Sequence, residues 1–171
     1  MNKDTDIRKL MAATVAAFVI SVSWPASAPE AAAPLKVSDY GDLQTAIDAA
    51  KEGDTILVDI DTPGAILEKR LTIRGVPGVG TGGVITAGDP LPTAQAAVAI
   101  RAGGSGSDLI NLRIDGGFFG IRNFPDLSDP AVDVVVRGCT IRAGVAGLLP
   151  VGVSGWIIEH NSRPGSEGLQ C

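Results

Sequence analysis

The sequence predicts an all-β protein built as a solenoid, and three observations favour this class: the composition, the spacing of short apolar segments and an internal repeat. The 171 residues include 22 glycines and only 4% aromatic residues, which is typical of many short strands and tight turns. Strand follows strand without intervening helices, and this pattern disfavours a doubly wound α/β fold.

The predicted strands are short apolar segments bounded by Gly, Pro, Asn or Asp. They are Thr55–Ile60, Arg70–Arg74, Val84–Ala87, Ala97–Arg101, Leu109–Asp115, Phe118–Asn123, Val132–Arg142, Val145–Leu149 and Trp156–His160. Alternation along the strands directs Leu112 and Ile114 inward in one repeat, and Cys139 and Ile141 inward in the next.

Gapless repeats connect these strands. The segment Asn111–Ile121 overlays Gly138–Leu148 at an offset of 27 residues. Further matches are Ala99–Arg101 with Gly120–Arg122 at an offset of 21, Val134–Val136 with Trp156–Ile158 at 22, and Gly147–Leu148 with Gly168–Leu169 at 21. Such periods predict stacked rungs, each rung being one turn of short strands that cannot bury its inner side chains alone. A Greek-key sandwich also has short strands, but it gives no reason for gapless repeats.

The first 28 residues have the pattern of an export signal. Basic residues near the start precede an uncharged apolar segment, Leu10–Val22, and the small-x-small sequence Ala26–Ala28 predicts cleavage after Ala28. The alternative is an uncleaved N-terminal membrane anchor. No later segment is long and apolar enough to span a membrane. We therefore expect a secreted or periplasmic protein with a disordered leader over residues 29–37 and one domain over residues 38–171.

Charge and cysteine content exclude two classes of protein. The net charge is −5, and removing residues 1–28, which hold three basic and two acidic residues, makes it −6. An acidic chain with scattered arginines lacks the basic stripe that nucleic acid needs, so no nucleic-acid partner is expected. Two cysteines, Cys139 inside a strand pattern and Cys171 at the last position, do not form a disulfide framework.

One helix is predicted before the strands. Its apolar face consists of Leu43, Ala46, Ile47 and Ala50, which recur at helical spacing. Asp39 or Asp42 can cap its start, and Gly53 lies where a helix C-terminus favours a residue with positive φ.

Several segments resemble the right-handed parallel β-helix, or pectin-lyase-like, superfamily over roughly residues 38–170. They are Tyr40–Ala50, Lys51–Val58, Lys69–Gly75, Gly83–Gly88, Val134–Leu148 and Trp156–Asn161. The resemblance implies a single-stranded, right-handed parallel β-helix whose first helix plugs one end. Members of the superfamily are commonly longer, so the resemblance also implies that the β-helix here is an N-terminal portion, truncated at its C-terminus. An uncapped C-terminal end would then favour self-association.

The resemblance also implies a class of chemistry. Lyases of this superfamily use acidic residues that hold calcium together with an Arg or Lys base, and its hydrolases use several Asp residues in neighbouring rungs. The outward residues here include at most one Asp per rung, so no catalytic set is assigned. The predicted substrate-binding residues are Arg113, Asp115 and Arg142, with Thr140 on the same face. Their alternative role is a surface ion-pair ladder.

Other candidate sites have structural explanations that compete with the functional ones. Asp126, Asp129 and Asp133 could supply oxygen ligands to calcium, but their segment also has the composition of a turn. His160 is the single histidine and is interpreted as structural, because one histidine cannot form a zinc or copper site alone. Gly103–Ser107 is interpreted as a turn and not as a phosphate loop. No metal or cofactor is therefore expected.

These observations lead to two hypotheses about function. The first is a secreted β-helix protein related to polysaccharide-processing or polysaccharide-binding proteins, not active alone as this short chain. If the activity of the superfamily is retained, it would be that of a polysaccharide lyase or glycoside hydrolase. The alternative is a non-catalytic structural or adhesin-like surface scaffold.

Overall fold

The computed structural model describes residues 33–77, 82–87, 96–123 and 128–164, all within one compact unit, 32–171. The predicted signal, residues 1–28, and the predicted repeat at Gly168–Leu169 lie outside the described residues. The domain begins earlier than the predicted residue 38. Leu35–Lys36 forms strand β1, paired with Ile56 and Leu57, and Val37 is fully buried. Backbone pairing and apolar burial therefore bring part of the predicted leader into the fold.

The described residues are mostly β-structure. The strands after β1 are β2 (Thr55–Val58), β3 (Thr62–Pro63), β4 (Ala65–Leu67), β5 (Thr72–Gly75), β6 (Val84–Thr86), β7 (Ala96–Ile100), β8 (Asp108–Ile110), β9 (Arg113–Asp115), β10 (Phe119–Asn123), β11 (Val135–Arg137), β12 (Thr140–Arg142), β13 (Ala146–Leu149) and β14 (Ile157–Glu159). The helices are α1 (Val37–Tyr40), α2 (Leu43–Ala49) and a 3-10 turn, Ala102–Gly104.

The strands form three parallel sheets. Sheet A has the order β1-β2-β5-β8-β11-β14, sheet B is β3-β6-β9-β12 and sheet C is β4-β7-β10-β13. From β2 onward the chain visits sheets A, B and C in turn, so three consecutive strands make one rung and each rung pairs with the next. This arrangement is consistent with a parallel β-helix solenoid. A Greek-key sandwich is wrong for the described residues, because every strand pair in them is parallel.

The registers test the sequence repeats directly. Ile141 pairs with Ile114 at the predicted offset of 27, and Ile158 pairs with Val136 at the predicted 22. The predicted offset of 21 for Ala99–Arg101 is wrong, because Ile121 pairs with Val98, 23 residues earlier. A shift of two residues keeps the same side chains inward, so the hydrophobic pattern alone cannot distinguish these registers.

Two predicted strands are each divided at a corner between sheets A and B. The segment 109–115 breaks at Asn111 (φ 53°), and the segment 132–142 breaks at Gly138 (φ 65°). A residue with positive φ ends the extended conformation and turns the chain toward the next sheet. His160 (φ 55°) occupies the same position one rung later.

The core consists of inward side chains stacked from rung to rung. In sheet A the stack is Ile56, Ile73, Leu109 and Val136, and in sheet B it includes Ile85, Ile114 and Ile141. All of these are nearly or fully buried, as are Leu112 and Cys139. The predicted inward positions are therefore confirmed.

Helix α2 covers the first rung with the predicted apolar face, whose four residues are buried. The Asp42 carboxylate accepts a hydrogen bond from the Thr45 amide at 2.7 Å and caps the N-terminus, as predicted. The helix ends at Ala49, so Gly53 (φ 85°) belongs to the turn that follows. Strand β3 provides a further hydrogen-bond acceptor at the N-terminal end of the helix, since Thr62 Oγ1 accepts from the Leu43 amide.

Lys69 holds the C-terminal end of α2. Its ammonium group donates to the carbonyl oxygens of Ile47, Asp48 and Ala50 at 3.0, 2.8 and 3.0 Å. These carbonyls belong to the last turn of the helix, where no intrahelical donor remains and the helix dipole favours a cation. The Lys69 side chain, which lies in the connection between β4 and β5, therefore joins the end of the helix to the first rung.

Candidate functional site

The three predicted binding residues lie on the outer face of sheet B, on adjacent strands. Arg113 and Asp115 flank the buried Ile114 in β9, and Arg142 pairs with Asp115 from β12. Arg113 pairs with Thr140 in the same way. The structure thus brings the predicted residues together in two rows that run from rung to rung. Successive residues in a row belong to strands about 4.8 Å apart. Whether these residues bind a substrate remains a prediction.

The contact between Arg142 and Asp115 is an open surface ion pair. Arg142 Nη1 lies 3.5 Å from Asp115 Oδ2, and the two side chains are 66% and 49% exposed. At this exposure, water screens the attraction, and such pairs contribute about 0–1 kcal/mol to stability. Because the pair contributes little to the fold, both groups are accessible to a ligand at small cost.

Arg113 points toward a groove at the corner between sheets A and B. Its Nη1 donates to the Gly82 carbonyl at 3.4 Å, a long hydrogen bond. The groove has a volume of ≈ 450 Å³. Its walls include Gly75, Asn111, Gly138 and Thr140. This groove was not predicted from the sequence, although the turn residues Asn111 and Gly138, 27 positions apart, were a signal for it.

Hydroxyl groups continue the outer face of sheet B on both sides of the arginines. Thr140 Oγ1 and Ser162 Oγ lie 3.2 Å apart and share a hydrogen bond, while Thr86 Oγ1 donates to the Thr62 carbonyl at 3.3 Å. Thr86 pairs with Asp115, so it extends the row that contains Arg142. Strands β9 and β12 therefore contribute two guanidinium groups and one carboxylate to this face, beside neutral hydroxyls.

Two carboxylates on the described part of this face, Asp61 and Asp115, each have one partner. Asp61 directly precedes Thr62, which pairs with Ile85 of the next rung. The Asp61 carboxylate accepts a hydrogen bond from the Val84 amide at 2.9 Å. Asp115 contacts Arg142, and the two aspartates belong to rungs 1 and 3. Acid/base hydrolysis of a glycosidic bond requires two carboxyl groups about 5–9.5 Å apart on either side of the bond. Two rungs separate the backbones that carry these two groups by about 10 Å along the stack.

The calcium hypothesis rests on three aspartates, of which Asp126 lies outside the described residues. Asp133 forms a corner between sheets C and A with φ 56°, and its amide donates to the Ser154 carbonyl at 3.0 Å. Within the described ranges, no three His, Cys, Asp or Glu side chains are grouped so that they could hold a metal ion. For Asp133 the turn interpretation therefore has direct support.

His160 and Asn161 form the turn after β14. The Asn161 side chain accepts from the Cys139 amide at 2.8 Å and donates to the Val136 carbonyl at 2.9 Å. This bridge between rungs agrees with the structural interpretation of the turn. Asn123 makes a similar bridge that was not predicted from the sequence, since its buried amide donates to the Val151 carbonyl and accepts from the Val151 amide.

The remaining candidates are structural in their contacts. Burial raises the pKa of the Cys139 thiol to about 11, so it stays protonated and unreactive near neutral pH. In Gly103–Ser107, the Ser107 hydroxyl accepts from the Leu71 amide and the Ser105 hydroxyl accepts from the Val132 amide. These hydroxyls join neighbouring rungs, which agrees with a turn.

No protein-family model, curated protein or solved structure matches this chain. Among the helices in the described ranges, none combines the length and the apolar composition needed to cross a membrane.

Proposed function

We propose that this chain is a secreted or periplasmic, right-handed parallel β-helix of the pectin-lyase-like type that binds polysaccharide on the outer face of sheet B. The observation that carries the proposal is the exposed arrangement of Arg113, Asp115 and Arg142 on two adjacent strands. A polymer with repeating polar groups fits a surface whose own side chains repeat from rung to rung.

The ligand class follows from the chemistry of the guanidinium groups. Arginine donates two parallel hydrogen bonds to a carboxylate, so a polysaccharide with acidic sugars is the favoured ligand. The half-exposed Asp115 carboxylate and the Thr140 hydroxyl, which shares a hydrogen bond with Ser162, lie beside them as further polar groups for sugar hydroxyls. The protein is acidic as a whole, with a net charge of −5, so binding depends on these local contacts and not on a long-range field.

Binding without catalysis is the form of the proposal that the site supports. The described outer face holds the carboxylates of Asp61 and Asp115, which belong to rungs 1 and 3. A hydrolase needs a closer pair of carboxyl groups, one of them protonated. We therefore propose a binding protein, inactive alone.

The experiment measures binding by affinity electrophoresis in gels that contain a polyuronate or a neutral polysaccharide. Protein is purified from the exported fraction, where N-terminal sequencing should give Pro29. Arg113→Ala/Arg142→Ala should weaken binding to the polyuronate at least about 10-fold, since each lost charged hydrogen bond contributes about 1.5–3 kcal/mol before solvent screening.

The matched control is Arg70→Ala/Arg74→Ala, which removes the same charge from exposed positions on and just before β5 in sheet A. It should retain binding. Equal losses in both double variants would show a non-specific charge effect and contradict the proposed face. Absence of binding to every polysaccharide tested would refute the proposal and favour a structural or adhesin-like scaffold.

A further inference from the structure

The groove beside Arg113 lies where the connections between sheets A and B differ in length. Eight residues, 76–83, separate β5 from β6 in rung 2, whereas two residues separate the corresponding strands in rungs 3 and 4. The described parts of the long connection, 76–77 and 82–83, line a recess of ≈ 450 Å³ together with the two tight corners. We propose that this groove binds the ring of one acidic sugar residue and that Arg113 selects acidic sugars over neutral ones. This assignment rests on the proposed function and gives one residue of the polymer a defined place on the protein.

The groove presents a positive charge that has no carboxylate partner among the described residues. Arg113 is the one ionisable group among the described residues that line the groove. Its guanidinium group makes one hydrogen bond within the described part of the chain, the long contact of Nη1 with the Gly82 carbonyl at 3.4 Å. The edge formed by Nε and Nη2 can therefore donate two parallel hydrogen bonds to a carboxylate. Arg142 differs, because the Asp115 carboxylate lies 3.5 Å from its Nη1 and balances part of its charge.

A corner without a side chain keeps the groove open. The residue that follows each of β8, β11 and β14 has a positive φ, and these residues are Asn111, Gly138 and His160. Rungs 3 and 5 thus carry a side chain at this corner, while rung 4 carries none. A Cβ atom at Gly138 would lie 2.4 Å from Asn111 Oδ1. A side chain at position 138 would therefore push the Asn111 amide into the groove.

The remaining polar groups suit the hydroxyls of a sugar ring. The exposed Asn111 amide makes no side-chain hydrogen bond within the described residues, and Thr140 Oγ1 shares one with Ser162 Oγ at 3.2 Å. The volume lies in the range of about 300–1,000 Å³ that is usual for sites of small organic molecules, so a bare inorganic anion would leave much of the groove unfilled. A neutral sugar would cover the Arg113 guanidinium without pairing it, and an unpaired charged donor costs more free energy than a neutral one. A sugar ring with a carboxylate both fills the groove and pairs the charge.

The first experiment is an NMR titration of the purified protein at constant ionic strength. The ligands are glucuronate and galacturonate, with glucose and galactose as their neutral counterparts. The Nε–H signal of Arg113, assigned with the Arg113→Gln variant, should shift saturably with a uronate and not with the neutral sugars. Acetate supplies a carboxylate without a ring and should bind at least about 10-fold more weakly, because the contacts with Asn111 and Thr140 are lost.

Arg113→Gln and Arg142→Gln form a matched pair, since each removes one positive charge from the outer face of sheet B. In affinity electrophoresis, Arg113→Gln should weaken binding to a polyuronate at least about 10-fold and abolish the preference over a neutral polysaccharide. Arg142→Gln should weaken binding less than about 3-fold, because Asp115 and solvent already screen its charge. Arg113→Lys should lie between the unmodified protein and Arg113→Gln, because it keeps the charge but loses the two parallel hydrogen bonds.

Gly138→Asn tests whether the sugar enters the groove while Arg113 stays intact. Asn occupies the same corner one rung earlier with φ 53°, and the atom that a Cβ at 138 would meet is the end of the Asn111 side chain, which can move. The variant should therefore keep its urea midpoint close to that of the unmodified protein and lose the shift with uronates.

The outcomes distinguish the groove from the proposed function. Equal losses for Arg113→Gln and Arg142→Gln, unchanged binding in Gly138→Asn, or a loss at Arg113 that comes with a lowered urea midpoint would overturn the groove as a sugar site and leave polysaccharide binding on sheet B standing. Saturable uronate binding at Arg113 without binding to any polymer would support the groove and refute the proposed function. Absence of both would overturn both.

Discussion

Ile141 and Arg142 are adjacent residues, and substituting each of them distinguishes the core between the stacked parallel sheets from their outer surface. Ile141 is 3% exposed and pairs with Ile114, whereas the Arg142 side chain is 66% exposed. We expect Ile141→Asp to lower the free energy of unfolding far more than Arg142→Asp. The same new side chain is introduced at both positions, so the comparison reports on burial.

The expected magnitudes follow from burial and charge. Truncation of a buried isoleucine to alanine costs about 2–5 kcal/mol, and an unpaired buried carboxylate adds several more. Ile141→Asp should therefore lose at least about 5 kcal/mol, comparable with the whole stability of a typical domain. Arg142→Asp loses a screened ion pair and sets one Asp opposite Asp115, so we expect a loss of about 1 kcal/mol or less.

Urea unfolding followed by tryptophan fluorescence and circular dichroism measures both variants. Trp156 Nε1 donates to the Ala131 carbonyl at 2.9 Å, so its emission reports on the packing between the last two described rungs. Ile141→Ala separates the two contributions, because it creates the cavity without the charge. Equal losses for Ile141→Asp and Arg142→Asp would refute the inward and outward assignment of β12.

Two further predictions concern the N-terminal end of the stack. Lys69→Met should lower the free energy of unfolding by about 1–3 kcal/mol, because it removes the ammonium group that donates to three carbonyls at the end of the helix. The control is Lys51→Met at an exposed position, which should change the free energy of unfolding by less than about 0.5 kcal/mol in the same urea titrations. Burial acts to raise the pKa of Asp59, but hydrogen bonds donated by the Ser38 hydroxyl and amide, at 2.7 and 3.0 Å, outweigh it and leave the pKa lowered. A carboxyl group with a lowered folded-state pKa contributes stability above the unfolded pKa of about 4, and this contribution is lost as the pH falls through the folded-state pKa. Ser38→Ala should therefore be less stable than the unmodified protein at pH 7, and the difference in free energy of unfolding should shrink in acid. A difference that is unchanged from pH 7 to pH 2 would contradict this assignment.

The sequence alone identified the elements that local chemistry and periodicity determine. The face of helix α2, its Asp42 cap and the 27-residue register of β9 and β12 could all be predicted, because a repeating inward pattern stacks like on like. The same register predicted one outer face for Arg113, Asp115 and Arg142, because the neighbours of an inward residue in a strand point outward. Strands β3 and β4 were missed, since segments of two and three residues carry too little periodicity to be recognised.

The tertiary structure decided what depends on contacts between rungs. The pairing of Ile121 with Val98 was not predictable, because registers that differ by two residues bury the same faces and only the turn between the rungs selects one. The groove beside Arg113 arises where the corners at Asn111 and Gly138 stack, and the bridge from Asn123 to Val151 joins residues that have no sequence pattern in common. Local sequence specifies which side chains point inward. The pairing of the rungs, and therefore the position of the site, is set by backbone hydrogen bonds between strands that lie 17 to 36 residues apart in the chain.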